Sequence, residues 1–164
     1  MKYAVIDVGS NTVRLCVYDV LYPEKRKFKT IMNRKIMAGL AAYIVDGAFS
    51  DEGIAEAILA VRKCIKRASY LSPDRIDVFA TAVLRNISNS AQAIAAIEQG
   101  AGCTISLLSN ADEAHLGFVG ASSRGTLDDG ALIDIGGGST EITVIENGID
   151  VARTSLPQGS LSSY

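Results

Sequence analysis

The chain has 164 residues, of which 48% are hydrophobic and 21% are charged, and its formal net charge is −2. This length suits one domain, or one domain with part of another, and the composition is sufficient for a packed core. The near-neutral charge argues against a general nucleic-acid-binding surface, and the apolar runs are too short to cross a bilayer. The single histidine excludes a multi-histidine metal site.

Three strands are predicted at the start of the chain. Residues 3–8 are apolar and end in the turn sequence Asp-Val-Gly-Ser-Asn at 7–11, and apolar–polar alternation resumes over residues 12–20. This pattern predicts antiparallel strands joined by a tight turn, with residues 28–37 as a third strand. The basic cluster that overlaps it (Lys25, Arg26, Lys27, Lys29, Arg34 and Lys35) is typical of a solvated sheet edge, and local attraction of a polyanion is the alternative.

Three helices are predicted to alternate with two further strands. Ser50 is a good N-cap for the first helix, whose apolar positions share one face: Ile54, Ile58, Val61, Ile65 and Ala68. The second helix is expected to begin after Ser88 or Asn89 and to end at Gly100. Strands are predicted at residues 76–80 and 103–108, and the third helix is predicted from Asn110 to about residue 123.

The pattern then starts again. Residues 131–135 are apolar and lead into Asp-Ile-Gly-Gly-Gly-Ser at 134–139, and strands are predicted at 141–145 and 149–154 around an Asn-Gly turn. The order of elements indicates an α/β protein with a mixed five-stranded sheet, similar to the ribonuclease H-like fold. We expect a first domain over residues 1–125 and the opening hairpins of an incomplete second domain over 126–164.

The two glycine-rich turns carry the predicted chemistry. Glycines let backbone N–H groups approach an anion closely, while Asp7 and Asp134 require a divalent cation or an oriented water between carboxylate and phosphate. One such loop is equally explained by an aspartate that caps a glycine turn. Two of them, one opening each predicted domain, are typical of the actin, hexokinase and Hsp70 superfamily. Neither turn is a Walker A sequence.

Four segments together resemble the Ppx/GppA family of exopolyphosphatases and guanosine pentaphosphate phosphatases. They are residues 7–15, 80–85 (Ala-Thr-Ala-Val-Leu-Arg), 112–120 and 134–141 (Asp-Ile-Gly-Gly-Gly-Ser-Thr-Glu), with a weaker match at 155–157. The resemblance implies Mg²⁺-dependent hydrolysis of terminal phosphate from polyphosphate or guanosine pentaphosphate. A cytoplasmic setting is expected from the cysteines, which are odd in number, widely spaced and without a Cys-x-x-Cys pair, and no signal peptide is recognised.

The resemblance also assigns roles to residues. It implies that Glu113 is the catalytic glutamate, and that Mg²⁺ or its water is held by Asp7, Asp134 and Glu141. The implied phosphate-binding residues are Ser10, Asn11, Arg85, Gly137, Gly138 and Ser139. We expect the four acids to converge on one cleft. Three alternatives remain open. Asn110 and Glu113 have the spacing of a capping box, and Arg85 at its predicted strand end could form a structural ion pair. The acids assigned to Mg²⁺ could instead be solvated loop acids.

The chain departs from the family pattern in two places. The family commonly has a Gly-Glu-Gly-like turn where residues 37–43 read Met-Ala-Gly-Leu-Ala-Ala-Tyr, which weakens the expectation of substrate contacts there. The match at 155–159 ends soon afterwards, so we expect weak or no turnover from this chain and possible homodimers. Competing interpretations are an ATP-binding kinase or chaperone of the same superfamily and a non-catalytic polyphosphate-binding fragment. His115 is expected on a helix surface.

Overall fold

The computed structural model describes residues 1–22, 24, 27–123, 125 and 127–161. The chain packs as two compact units, Met1–Leu107 and a second unit that begins at Leu108. This division lies before the third long helix, whereas the sequence placed a domain boundary after it, near residue 125. The difference arises because that helix packs against the strands that follow it.

The first unit is built on a mixed five-stranded sheet. The five strands of this sheet are β1 (Lys2–Val8), β2 (Thr12–Tyr22), β3 (Lys27–Met37), β6 (Arg75–Ala80) and β7 (Ile105–Leu107). Two short strands outside it, β4 (Ile44–Val45) and β5 (Ala48–Phe49), pair with each other. The sheet order is β3-β2-β1-β6-β7, with β1 antiparallel to β2 and parallel to β6. The predicted antiparallel meander followed by parallel strands is confirmed. It brings the ends of β1 and β6 to the same edge of the sheet.

Helices cover one face of this sheet. The helices of this unit are α1 (Asp51–Ser69), α2 (Ala82–Arg85) and α3 (Ser90–Ala101), of which α1 packs on β1 and β2 and α3 packs on α1. A fourth helix, α4 (Asn110–Ser122), belongs to the second unit. Alternation along β1 buries Ala4, Ile6 and Val8 completely. Asp7 lies between two of these buried positions and is exposed on the other face. The alternation therefore keeps this carboxylate out of the core.

Helix α1 begins where the sequence predicted, because the Ser50 side chain accepts a hydrogen bond from the Gly53 amide. The predicted apolar face is only partly correct. Val61 and Ala68 are buried, but the remaining buried positions carry small residues (Gly53, Ala57, Ala60 and Cys64). The predicted isoleucines at 54, 58 and 65 flank this line, half-buried. Small side chains at the centre allow a close approach of helix and sheet, so the larger ones pack beside the line.

Two local features differ from the sequence-based expectation. Strands β4 and β5 form a small hairpin that was not predicted, and its turn uses Asp46 (φ 49°) and Gly47 (φ 76°). Helix α3 ends at Ala101 and is capped by Gly102, which has the left-handed φ of 67°, so it does not end at Gly100 as predicted. Gly100 is instead a packing position, since a Cβ there would lie 2.5 Å from Ile58 Cδ1.

The second unit contains α4 and a three-stranded antiparallel sheet. Its strands are β8 (Gly130–Ile135), β9 (Thr140–Glu146) and β10 (Ile149–Leu156), in the order β10-β9-β8. The predicted hairpin turn is confirmed, and both of its residues have positive φ, 53° at Asn147 and 74° at Gly148. Helix α4 covers one face of the sheet with Ala114 and Phe118, and Thr143 Oγ1 lies 3.4 Å from the Ala114 carbonyl oxygen.

The described part of the basic cluster lies on an edge of the first sheet. Lys27, Lys29, Arg34 and Lys35 are exposed on β3, which fits a solvated edge. Lys25 and Arg26 lie outside the described residues. Within the described part of the chain, the helices are too short or too polar to pass through a bilayer.

Candidate active site

The first glycine turn joins β1 to β2. The Gly9 amide donates to the Thr12 carbonyl oxygen at 3.1 Å, and a Cβ on Gly9 would come within 3.2 Å of the same oxygen. Glycine therefore suits this position because the chain closes tightly on itself. Ser10 is buried with 7% of its surface exposed, and Asn11 is half-buried. Asp7 lies opposite Arg14 in the strand pairing, two residues before the turn.

A segment that follows β3 holds the carbonyl groups of this turn. The Ser10 carbonyl oxygen accepts from the Ala41 amide at 2.8 Å. The Asn11 carbonyl oxygen accepts from the amides of Ala38 at 3.1 Å and Gly39 at 2.9 Å. The residues that depart from the family pattern thus support the backbone of the first turn.

Arg85 does not lie at the end of a strand. Strand β6 ends at Ala80, and residues 82–85 form the short helix α2, so Arg85 is the last residue of that helix. Its side chain is half-buried, and its apolar neighbours Val83 and Leu84 enter the core. The sequence suggested a strand because the segment is continuously apolar, and periodicity alone does not separate a short buried strand from a short helix.

The second glycine turn, residues 136–139, repeats the local geometry of the first. The Gly136 amide donates to the Ser139 carbonyl oxygen at 2.9 Å, and a Cβ on Gly136 would lie 3.1 Å from that oxygen. Ser139 is buried, with 3% of its surface exposed. The Thr140 hydroxyl donates to the Gln158 carbonyl oxygen at 2.7 Å, so this side chain braces the turn.

Two acids flank the second turn at directly opposed positions. Asp134 on β8 pairs with Glu141 on β9, and opposed residues of an antiparallel pair share one face of the sheet. Asp134 is exposed, whereas Glu141 is 5% exposed and accepts a hydrogen bond from the Ser155 hydroxyl at 2.9 Å. The pair therefore combines an accessible carboxylate with one that is buried and held in place.

The capping explanation for Glu113 is wrong. The N-cap of α4 is Ser109, whose hydroxyl oxygen accepts a hydrogen bond from the Asp112 amide at 3.1 Å. The same hydroxyl donates to Asp112 Oδ2 at 2.6 Å. The capping pair is thus one residue earlier than Asn110 and Glu113. Glu113 is half-buried in the first turn of the helix.

Helix α4 brings Glu113 to the side of the unit where Asp134 lies. A Cβ on Gly117 would be 3.7 Å from Asp134 Oδ2, so this part of the helix lies against the end of β8. Residues four apart share one side of a helix, and four residues advance about 6 Å along its axis. Glu113 therefore lies on the same side of α4 as the Asp134 contact, one turn earlier.

A family model for the Ppx/GppA phosphatases matches residues 20–162. The chain belongs to the Ppx/GppA phosphatase family. The matched range contains Arg85, Glu113 and the second glycine turn, and it begins after the first turn. The sequence-based resemblance is therefore confirmed at the level of the family.

Solved structures of Ppx/GppA proteins share the fold. The chain is similar to an exopolyphosphatase from Cytophaga hutchinsonii, with 25% identity over 97% of this chain and 51% of that one, and a TM-score of 0.87. A Ppx/GppA family member from Aquifex aeolicus gives 22% identity over 97% of this chain and 52% of that one, with a TM-score of 0.82. The chain thus spans about half the length of these relatives.

A solved structure from outside the Ppx/GppA family is also similar to this chain. MreB5 of Spiroplasma citri bound to ADP has 17% identity over 96% of this chain and 52% of that one, with a TM-score of 0.50. With the sheet order, these matches establish a ribonuclease H-like fold. The predicted fold class is confirmed.

The predicted metal ligands are divided between the two units, with Asp7 in the first and Asp134 and Glu141 in the second. In the described residues, no group of three or more His, Cys, Asp or Glu side chains is arranged to hold a metal ion. Mg²⁺ commonly binds through one or two carboxylates, with water and substrate phosphate oxygens completing its shell. The accessible Asp134 fits a direct ligand of this kind, and the buried Glu141 fits a fixed acceptor for a metal-bound water. The joint role of Asp7, Asp134 and Glu141 stays a prediction.

One polar cluster was not predicted. His115 is partly exposed, as expected for a helix surface, but its Nδ1 lies 2.7 Å from Asp150 Oδ2, and Arg153 Nε donates to the same oxygen at 2.6 Å. These contacts, His115 first, hold the pKa of the Asp150 carboxyl below its ordinary value. The cluster ties α4 to β10. Sequence spacing gives no signal for it because the partners are 35 residues apart.

Proposed function

We propose that the protein is a phosphohydrolase that removes terminal phosphate from inorganic polyphosphate or from guanosine pentaphosphate, with Mg²⁺ as its cofactor. The observation that carries the proposal is the assembly within the second unit. There a glycine turn, an accessible carboxylate, a buried carboxylate and the Glu113 side of α4 occur together. Membership of the Ppx/GppA phosphatase family supports phosphate hydrolysis over another function for the glycine turn and the carboxylates.

In this proposal, phosphate binding and proton transfer are carried out by different residues of the chain. Amides of the glycine turns and the hydroxyls of Ser10 and Ser139 bind phosphate oxygens, and Arg85 neutralises charge on the polyanion. Glu113 orients a water molecule and takes its proton as the water oxygen bonds to the terminal phosphorus, while the bond from that phosphorus to the bridging oxygen breaks and the shortened polyanion leaves. When bound at Asp134 and Glu141, Mg²⁺ would supply positive charge against the phosphate oxygens. Catalysis of this kind depends on positioning and electrostatics more than on covalent chemistry.

The experiment is phosphate release at high enzyme concentration with MgCl₂, comparing polyphosphate, guanosine pentaphosphate and ATP, with EDTA as the metal control. We expect slow, Mg²⁺-dependent release from one or both of the first two and less from ATP. Preferential ATP binding or hydrolysis would favour the ATP-dependent branch of the superfamily instead. Tight polyphosphate binding without any release would mean a binding module, and the proposed hydrolase would be abandoned.

We further propose a cytoplasmic setting and a homodimer. The support for the first is chemical: Cys16, Cys64 and Cys103 are free, and disulfides persist mainly in oxidising compartments. The support for the second is the exposed apolar face of the β8–β10 sheet, which includes Ile133 and Ile135.

A further inference from the structure

The chain returns to the second glycine turn after β10. We name residues 158–161 the return segment. Gly159 in this segment is buried, and a Cβ placed on it would lie 2.5 Å from both the carbonyl carbon and the oxygen of Gly137 and 2.6 Å from the Gly138 nitrogen. These neighbours are backbone atoms of the turn itself, so they have no flexible side-chain end that could move aside. Only glycine fits at this position without displacing the turn.

Hydrogen bonds fix the return segment to the carbonyl side of the turn. The Ser160 amide donates to the Gly136 carbonyl oxygen and the Leu161 amide donates to the Gly137 carbonyl oxygen, each at 2.9 Å. The Thr140 hydroxyl adds the bond to Gln158 from the next strand. Both carbonyl groups of the first two turn residues are therefore directed towards the return segment.

Because the peptide bond is planar, the direction of these carbonyl groups also fixes the direction of the N–H groups in the turn. In a trans peptide, the C=O of one residue and the N–H of the next point in opposite directions. With the Gly136 and Gly137 carbonyls directed towards the return segment, the N–H groups of Gly137 and Gly138 are directed away from it. The Gly136 amide is already bonded to Ser139. Two adjacent amides thus face the opposite side of the turn, the arrangement that binds an anion.

The first unit has the same construction. Its glycine turn also lies in a three-stranded antiparallel meander. In the segment after the third strand, the Ala41 amide donates to the Ser10 carbonyl oxygen and the Gly39 amide donates to the Asn11 carbonyl oxygen. By the same planarity, the Asn11 amide points away from that segment. Both glycine turns are therefore held through their carbonyl groups by the segment that follows the third strand, which argues that the return segment is part of the phosphate-binding device.

We infer that Gly159 is a positioning residue, which lets the return segment hold the second turn so that the Gly137 and Gly138 amides face a phosphate oxygen of the substrate. The inference deepens the proposed function and rests on it. Gly159 touches no substrate in this scheme, and its effect passes through the backbone of the turn.

The test compares Gly159→Ala with Gly120→Ala, since a Cβ on Gly120 in α4 would meet nothing within 4 Å. Each variant is labelled with ¹⁵N and titrated with inorganic tripolyphosphate and MgCl₂ while backbone amide shifts are followed. In the wild type and Gly120→Ala, the Gly137 and Gly138 amides should move on titration. In Gly159→Ala their response should disappear and affinity should fall about ten-fold or more, as for loss of a charge-assisted hydrogen bond.

A second variant guards against misfolding. Thr140→Val removes the bond to Gln158 without adding an atom at the contact, and it should weaken binding less than Gly159→Ala does. Unchanged amide responses and affinity in both variants would overturn the inference while leaving the phosphohydrolase intact. So would tripolyphosphate binding by the wild type that leaves the Gly137 and Gly138 amides unmoved. No tripolyphosphate binding by the wild type would sink the proposed function together with the inference.

Discussion

Glu113 offers the sharpest test at the scale of single residues. Glu113→Gln keeps the shape and hydrogen-bonding capacity of the side chain but cannot accept a proton. We expect turnover to fall by about 10²- to 10⁴-fold, the usual cost of losing a general base, with polyphosphate affinity nearly unchanged. Phosphate release and equilibrium binding, measured on the same preparations, check both halves of this expectation.

Asp112 provides the matched control because it is adjacent and carries the same functional group. Asp112→Asn alters the partner of the Ser109 cap and should reduce the free energy of unfolding by up to about 1 kcal/mol, with turnover retained. Equal turnover in Glu113→Gln and wild type would remove Glu113 from the chemistry.

We expect Arg85 to contribute to substrate binding and not to the chemical step. Arg85→Ala should weaken polyphosphate binding by about ten-fold or more at low salt, since hydrogen bonds between charged groups are the strong ones. The loss should shrink as salt screens the charges. Arg62→Ala, an exposed arginine on α1, is the control. An equal loss in both variants would indicate general electrostatic attraction in place of a specific contact.

At the scale of elements, the cluster of His115, Asp150 and Arg153 should fix α4 on β10. The folded-state pKa of Asp150 is lowered, so its stabilising contribution is present above the ordinary value of 3.8 and is lost as the pH falls below it towards the folded-state value. Asp150→Asn should reduce the free energy of unfolding by less than about 1 kcal/mol near neutral pH, because the contacts are partly solvated.

Urea denaturation of wild type and Asp150→Asn at several pH values checks this prediction. The difference between the two proteins should be constant at neutral pH and should shrink as the pH falls below 3.8. A difference that does not change with pH would show that packing, and not the charge of Asp150, holds the helix. Glu113-dependent turnover should fall with the same variant if the position of α4 matters for catalysis.

Most elements could be predicted because their signals are local. Alternation gave the strands, Ser50 gave the start of α1, and the Asn147–Gly148 turn gave the last hairpin. The errors occur where two local signals compete. Ser109 and Asn110 are both good N-caps with an acid three residues later, and sequence alone does not choose between them. Gly100 and Gly102 compete in the same way for the end of α3, and packing against Ile58 decides the role of Gly100.

The candidate site was predictable as a set of residues but not as a geometry. Glycine turns and strand-end acids can be recognised in the sequence. The contact of Gly159 with Gly137 cannot, because the two residues are more than 20 positions apart and belong to no periodic pattern. The burial of the Glu141 side chain and its hydrogen bond with the Ser155 hydroxyl likewise depend on tertiary packing. The convergence of Asp7 with the acids of the second unit stays a prediction.

At the scale of the whole molecule, we expect one face of the second sheet to determine whether the chain associates in solution. The face opposite α4 exposes apolar side chains from all three strands: Ile133 (59%), Ile135 (66%), Val144 (39%) and Leu156 (43%). Contiguous exposed apolar surface favours association, and an edge strand of such a sheet adds unpaired backbone groups. We expect this chain to self-associate in a concentration-dependent manner and to be a poor catalyst, because a turn that binds phosphate needs rigid support.

Sedimentation velocity and phosphate release, measured across a dilution series, test this expectation. Ile133→Glu and Ile135→Glu place charges on the exposed face and should shift the chain towards monomer. Asp128→Ala, an exposed change in the loop before β8, is the control for a change of charge. If self-association supports the second glycine turn, turnover should fall with dilution and in both glutamate variants. Robust turnover from a monomer would show that the two units described above suffice for catalysis, and the link between the exposed face and activity would be wrong.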